Sequence, residues 1–337
     1  MRTILSHKEK ILKNNIKVKK SKKSKKTIIP YKVRNWSLYN KSLVQRGDIT
    51  FWFSEEAVNE WLYSGKQSQG SPKIYSDIAI LTALTIRSLY SLTLRSTKGF
   101  IRSLIKLMKI NVPVMDYTTL CRRQKYLKIP CLRHKKSCEP INVVIDSTGL
   151  KVFGEGEWKV RKHGWYKHRM WRKLHLAINP DTGEILSHTL TTNSVTDADE
   201  APALLSAITD TIGSLYGDGA YDKWLIYDML KQHNILPIIP PQKNAMIKKH
   251  GNNTDGPLYR DEAIRSIRKM GRKKWKQTIG YHRRSLVETA MFRYKTQFGD
   301  KPLAHSIANQ KIEAGINCMI LNQFTRFGRP DSFPVTA

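Results

Sequence analysis

Two hydrophobic rhythms divide this chain near residue 140. Before that point, apolar positions recur every three or four residues, the period of helices with one buried face. Ser54 followed by Glu55 and Glu56 is a capped helix start, and the helix is expected to run to near Gly65. The stretch IAILTALTIRSLYSLTL, Ile78 to Leu94, reads as a buried helix that Ser76 or Asp77 can cap. Arg87 and several hydroxyl residues interrupt it, so no membrane association is expected. Ser96 precedes a third helical pattern: Phe100, Ile101, Leu104, Ile105 and Met108. NVPVMD breaks it, and Asp116 caps YTTLCRRQKYL. Two helices joined by a short break, the second carrying Arg122 and Arg123, have the layout of a helix-turn-helix reader of DNA. An ordinary helical bundle with a basic face fits the same pattern.

After residue 140 the period shortens. INVVIDST is a continuous apolar run ending in an acid, as in a strand buried on both faces. RKLHLAIN and EILSHTLTT alternate around the turn PDTG, predicting an antiparallel hairpin over 172–192. DADEAPALLSAI predicts a helix, SLYGD a strand ending in Asp218, KWLIYDMLKQHN a helix, LPIIPP a strand, and Tyr281 to Lys295 a final helix. The fold class is therefore α/β: a mixed sheet with flanking helices after a helical N-terminal domain. By analogy of layout, three antiparallel strands followed by helix-linked parallel ones suggest a ribonuclease-H-like fold. The expected organisation is a tail over 1–30, a helical DNA-binding domain over 31–138, a catalytic domain over 139–325 and a C-terminal tail over 326–337.

Charge sharpens this picture. The 337 residues hold 59 Lys+Arg against 27 Asp+Glu, a net charge of +32. Such an excess repels itself in a compact fold unless a polyanion is at hand, and nucleic acid is the leading candidate. The first 30 residues are a Lys-rich arm, expected to be disordered, but most of the excess lies beyond them. Trp158 to Lys173 contains no acid and mixes cations with three Trp residues. Within it, Trp165, Arg172 and Lys173 are candidates for contacting phosphates and unstacked bases. Arg260 to Arg284 adds a second basic run. Four cysteines are too few for a disulfide framework and read as reduced, so a cytoplasmic setting is expected.

Against that background the acids stand out. If the strands ending in Asp146 and Asp218 are adjacent and parallel, their carboxylates lie side by side, which requires a cation or a proton between them. Oxygen-only ligands favour Mg²⁺ or Mn²⁺, and a third carboxylate would let the set hold two ions. Asp222 competes with Asp218, which is preferred because the apolar run stops there. On a helix at about 100° per residue, Tyr281, Arg284, Glu288 and Lys295 share a stripe about 60° wide. Leu286, Val287, Ala290, Met291 and Tyr294 form the adjacent apolar face. Spacing alone is satisfied by an exposed Arg284–Glu288 salt bridge.

The ordered set NWSLYNKSLVQRGDITFWF, DYTTLCRR, VVIDSTGLKVFGEGEWKVRKHG, RKLHLAIN, GDGAYD, IPPQKNA and YHRRSLVETAMFRYK resembles the DDE transposases of bacterial insertion sequences. It is most similar to the insertion-sequence-five family and its nine-oh-three-like branch. The resemblance implies Asp146, Asp218 and Glu288 as the catalytic, metal-holding acids, with two Mg²⁺ (or Mn²⁺) ions. It implies Tyr281, Arg284 and Lys295 as DNA contacts, and strand cleavage at transposon ends followed by transfer into target double-stranded DNA. A homo-oligomer on DNA and a nucleoid-associated place in a bacterial cytoplasm follow as expectations. A non-cutting regulator of the element and a ribonuclease-H-like nuclease are the alternatives.

Overall fold

The fold is a computed structural model that describes residues 31–67, 69–70, 72–129, 138–152, 171–248 and 258–335. The Lys-rich segment 1–30 and Trp165 lie outside the described residues. The chain divides into two compact units. In the smaller, residues 1–39 with 330–337, β1 (Tyr31–Val33) pairs antiparallel with the last strand, β7 (Ser332–Pro334). Arg34 lies 5.3 Å over the Phe333 ring, and Asn35 accepts the Asp331 N–H at 2.7 Å. This ribbon falls partly in the segment expected as a C-terminal tail.

The larger unit is residues 40–329. Its helical part is α1 (Trp36–Gln45, begun in the smaller unit), α2 (Ile49–Trp52), α3 (Glu55–Asn59), α4 (Asp77–Leu89), α5 (Leu94–Leu107) and α6 (Tyr117–Gln124). Ser54, Ser76 and Asp116 cap α3, α4 and α6 as their types predict. Three expectations shift. The helix from Ser54 stops at Asn59, because Trp61 turns fully inward and its indole N–H donates to the Pro113 carbonyl at 2.9 Å. The apolar helix ends at Leu89, just before Ser91 adopts a left-handed backbone (φ 51°), and the chain bends by 110° into α5. The third helix starts at Leu94, before Ser96, and Thr93 caps it by accepting the Ser96 N–H at 3.2 Å. Among the described residues no single helix is long and apolar enough to cross a membrane.

The sheet holds β2 (Ile141–Lys151), β3 (Trp171–Ile178), β4 (Ile185–Thr192), β5 (Ile212–Tyr216) and β6 (Leu236–Ile238), in the order β4-β3-β2-β5-β6. The β2–β3–β4 meander is antiparallel, while β5 and β6 run parallel to β2. This is the mixed sheet that the alternating and continuous apolar runs predict. Between the strands lie α7 (Asp197–Ser206) and α8 (Trp224–Gln232). After them come α9 (Tyr259–Met270), α10 (Arg272–Thr278), α11 (Ser285–Phe298) and α12 (Ile307–Phe327).

Strand side chains alternate between faces, and each face of this sheet has its own core. Val143, Ile145 and Leu215 point to one face and pack with Ala198, Leu204, Ile226 and Leu230 of α7 and α8. Val144, Leu174 and Leu176 point to the other, with Val287 and Met291 of α11 and Ile316 and Ile320 of α12. Ile80, Leu84, Ile101 and Leu120 of α4, α5 and α6 belong to that same second core. The N-terminal helices and one face of the sheet therefore share a core within residues 40–329.

Candidate active site

Strand register places the first two acids. In the parallel pair, Val144 stands opposite Tyr216. Two residues further along each strand, Asp146 and Asp218 come level, at the point where β5 has ended. Asp146 has the parity of Val144, so it points to the α11 face, whereas Ser147 points to the α7 face. Asp218 caps a short 3₁₀ turn at Gly219–Tyr221, accepting the Ala220 N–H at 2.8 Å.

The third acid comes from above the sheet. The helix predicted from Tyr281 begins as a 3₁₀ turn, Tyr281–Arg284, and becomes α-helical at Ser285. Val287, Ala290, Met291 and Tyr294 are buried as expected, but Leu286 is 37% exposed. Arg284 ties the acids together: one guanidinium nitrogen donates to Glu288 Oε1 at 2.6 Å and another donates to Asp146 Oδ2. The simple i, i+4 bridge is thus present, but its arginine also reaches across to the sheet.

The electrostatics follow from this convergence. Burial pushes the Asp146 carboxyl above the usual carboxylate range. Arg284 and the Ser147 N–H pull it down, while Asp218 and Asp197 push it further up. Burial also disfavours the Arg284 cation, but Asp146, Tyr281, Glu288 and Asp218 together hold its pKa above normal. Tyr281 is raised, first by burial and then by Asp218, Asp146 and Glu288, against the opposing pull of Arg284. All three acids therefore sit within electrostatic reach of Arg284 and Tyr281.

The competitor Asp222 is placed elsewhere. Its carboxylate is fully buried and accepts from Arg260 Nε at 2.7 Å, Arg260 Nη2 at 3.0 Å, the Tyr227 hydroxyl at 3.2 Å and the Gln242 N–H at 2.7 Å. It is saturated by protein donors. Asp197 was read only as part of a capped helix, yet it lies beside the site: its Oδ1 accepts from Ser147 Oγ at 2.9 Å and Lys173 Nζ at 3.3 Å. Three acids in the run DADE after a hairpin were its only sequence signal.

The remaining candidates separate. Lys173 joins the site through Asp197 and also donates to the Val195 carbonyl at 2.9 Å. Lys295 lies half-buried, two turns beyond Glu288 and within reach of Asp300. Arg172 is held by Gln310 at 3.0 Å. Arg122 is exposed and folds back onto Thr118 of its own helix. Arg123 bonds Asp77 at 2.5 Å and the Tyr75 carbonyl at 3.1 Å, tying α6 to the start of α4 instead of presenting its cation outward.

The donor set suits a hard divalent ion, being made of carboxylate oxygens without thiol. Around the acids, three buried polar atoms lack a hydrogen-bond partner: Arg284 Nε, Tyr221 Oη and His175 Nδ1, the last 3.8 Å from Asp197 Oδ1. Such orphans are costly unless water or an ion satisfies them. Among the described residues, no three His, Cys, Asp or Glu side chains are grouped so that they could hold a metal ion as they stand. The guanidinium of Arg284 stands between Asp146 and Glu288 and supplies the positive charge they need. The residues fit a divalent ion in kind, with Arg284 as the group that has to give way.

Two family models, each described as a transposase DDE domain, match residues 44–155 and 138–323, the second covering more than half of the chain. The chain belongs to the DDE transposase family. Membership makes it an enzyme of divalent-metal-dependent type. Among solved structures, the transposase is similar to a chain of the cryo-EM structure of the piggyBac transposase synaptic complex with hairpin DNA. That likeness has 9% identity, covers 86% of this chain and 77% of the other, and has a TM-score of 0.38, too low to support an assignment.

Proposed function

We propose that this transposase binds the terminal inverted repeats of a bacterial insertion sequence, cuts the DNA there and joins the freed ends to target DNA. The element would belong to the insertion-sequence-five family, nine-oh-three-like branch, and the sheet would be ribonuclease-H-like. One observation carries the reading: the β2–β5 register brings Asp146 level with Asp218, and Arg284 connects Asp146 to Glu288.

Asp146, Asp218 and Glu288 would hold two Mg²⁺ or Mn²⁺ ions. When bound, such ions polarise the scissile phosphate and lower the pKa of an attacking water or 3′-hydroxyl. The chain's own residues do the rest. The carboxylates fix the position of the reacting phosphate relative to β2 and α11. Arg284, freed from Asp146 and Glu288, and Lys295 hold the flanking phosphates, because an arginine fork matches phosphate oxygens in two-point contact. Tyr281, stacked under Lys276 at 4.5 Å, supports that strand from the 3₁₀ turn. Lys173, Arg172, Arg122 and Trp165 are further contacts for duplex or strand, Arg172 after release from Gln310. Pairing two ends calls for a homo-oligomer assembled on DNA.

The test is incubation of the full chain with Mg²⁺ and DNA carrying the repeats that flank its gene. Wild type should give both cut and joined products. Asp146→Asn, Asp218→Asn and Glu288→Gln should each lower cleavage at least about 100-fold, the scale of several kcal/mol of metal assistance. Cleavage unchanged in any one of them removes that residue from the site. Cut but never joined DNA would make the protein a nuclease.

A further inference from the structure

The catalytic-helix stripe contains a residue that the charged positions conceal. Phe292 is 70% exposed, although it lies in the middle of a well-packed helix. It follows Glu288 by four residues, so its side chain sits one turn on, about 40° around the helix and about 6 Å from the acid. Lys295 lies about 60° around to the same side as Glu288, one turn further along the helix, and the other side is lined by threonines. Thr289 and Thr296 are its remaining exposed neighbours on that face. Leu286, the other exposed apolar residue of α11, points away, about 120° around the axis.

An isolated ring among a carboxylate, a lysine and two threonines is a poor protein-docking surface, which needs a contiguous apolar patch. It is suited to a flat, apolar face whose rim is polar and whose backbone is anionic. Only a nucleobase taken out of its stack offers that beside a phosphate at Glu288. We propose that Phe292 is a base-stacking platform: it receives one unpaired nucleotide of the DNA end, one or two steps from the phosphate being cut. This rests on the reading of Glu288 as a DNA-processing acid. Nucleotide spacing in a stacked strand is about 3.4 Å, so a one-turn separation spans one to two nucleotides. Stacking on an aromatic ring is indifferent to base identity, so the platform would position an end without reading it.

The test uses the full chain with Ca²⁺ replacing Mg²⁺, so that the DNA stays intact. The probe is a duplex ending in the flanking repeat, with a three-nucleotide single-stranded extension carrying 5-iodouracil at each position in turn. Irradiation should crosslink one position to Phe292, as read by peptide mass spectrometry. Phe292→Ala should lose that crosslink and bind the extended end about tenfold more weakly by anisotropy, with unchanged affinity for the blunt duplex. Phe292→Trp should restore end binding. Crosslinks only at other residues, or equal end affinity in Phe292→Ala, overturn the proposal. So does a Phe292→Ala variant whose change is in oligomeric state by light scattering, since the ring would then be a protein contact. If wild type binds neither probe, the DNA-end reading itself has failed.

Discussion

The two aspartates of GDGAYD are held in different ways, and on the proposed reading their removal should have opposite signatures. Asp222 has no exposure and serves four donors, two of them from Arg260, whose own side chain is 12% exposed. The ion pair raises the Arg260 pKa, chiefly through the hydrogen bond to Asp222. Asp222→Ala strands that guanidinium together with the Tyr227 hydroxyl and the Gln242 N–H. Removing one partner of a buried pair costs about 3–5 kcal/mol. At about 2–4 °C per kcal/mol for a unit of this size, the melting temperature should fall by roughly 6–20 °C.

Asp218, by contrast, accepts one backbone N–H and faces the negative charge of Asp146. Asp218→Asn should therefore move the metal-free melting temperature by less than about 3 °C in either direction, while cleavage is lost. Circular dichroism melts in EDTA and the cleavage assay with Mg²⁺ read the two outcomes separately. A double variant, Asp222→Ala with Arg260→Leu, should recover part of the loss, because no unpaired charge remains. If Asp222→Ala melts with wild type and abolishes cleavage, the roles are reversed and the register argument is wrong.

Arg284→Met should lower metal-free stability by about 1.5–3 kcal/mol, the scale of hydrogen bonds to charged groups, and Mg²⁺ should then raise its melting temperature more than that of wild type. Burial pushes His188 down to about 4 against an unfolded value near 6.5. The unfolded chain thus binds the extra proton, so this contribution is complete above about pH 6.5 and is lost as pH falls toward about 4. For this half-buried residue it is worth roughly 1–3 kcal/mol, and urea titrations from pH 4 to 7 should show a shallower slope in His188→Gln. A Cβ at Gly315 would come 2.9 Å from His188 Nε2 and 3.0 Å from Ile129. Gly315→Ala should therefore destabilise by about 1–3 kcal/mol in the same titration, despite its better helix propensity.

The parts of this fold that were legible are those where polarity contrasts sharply with position. Asp146 and Asp218 each follow an apolar run, and in parallel register such ends coincide. The hairpin was legible because β3 and β4 alternate around a turn-forming PDTG. Contrast was missing elsewhere. The 21-residue α12 is buried on most sides, with Gln310, Glu313, Asn317 and Asn322 among its buried residues, so it shows no apolar stripe. The helices α9 and α10 are so basic that their buried Ile264 and Trp275 were read as parts of a charge run. Three-residue strands at opposite ends of the chain carry no periodic signal at all. At the site, spacing alone left Glu288 as the salt-bridge partner of Arg284, and only the family resemblance made it the third acid, because an i, i+4 Arg–Glu pair looks the same whether or not it faces a sheet edge.

Exposure also refines what the net charge of +32 means. Several cations chosen for DNA by type alone are already engaged by the fold: Arg123 by Asp77, Arg172 by Gln310, Lys173 by Asp197. Arg284 is engaged too, but by the acids that a metal ion would claim. An arginine held by protein structure and an arginine held by a displaceable charge have different consequences. The first reaches a substrate only by leaving its protein partner. On the proposed reading the second would become free for it, since a divalent ion held by Asp146 and Glu288 would compete with the guanidinium for the same carboxylate oxygens. Sequence-independent grip on DNA would then fall to exposed cations such as Arg268, Lys269, Lys273 and Lys274 on α9 and α10, which precede the 3₁₀ turn carrying Arg284. Basic residues that look equivalent in the sequence thus divide into scaffold, latch and grip according to which acid, if any, holds them.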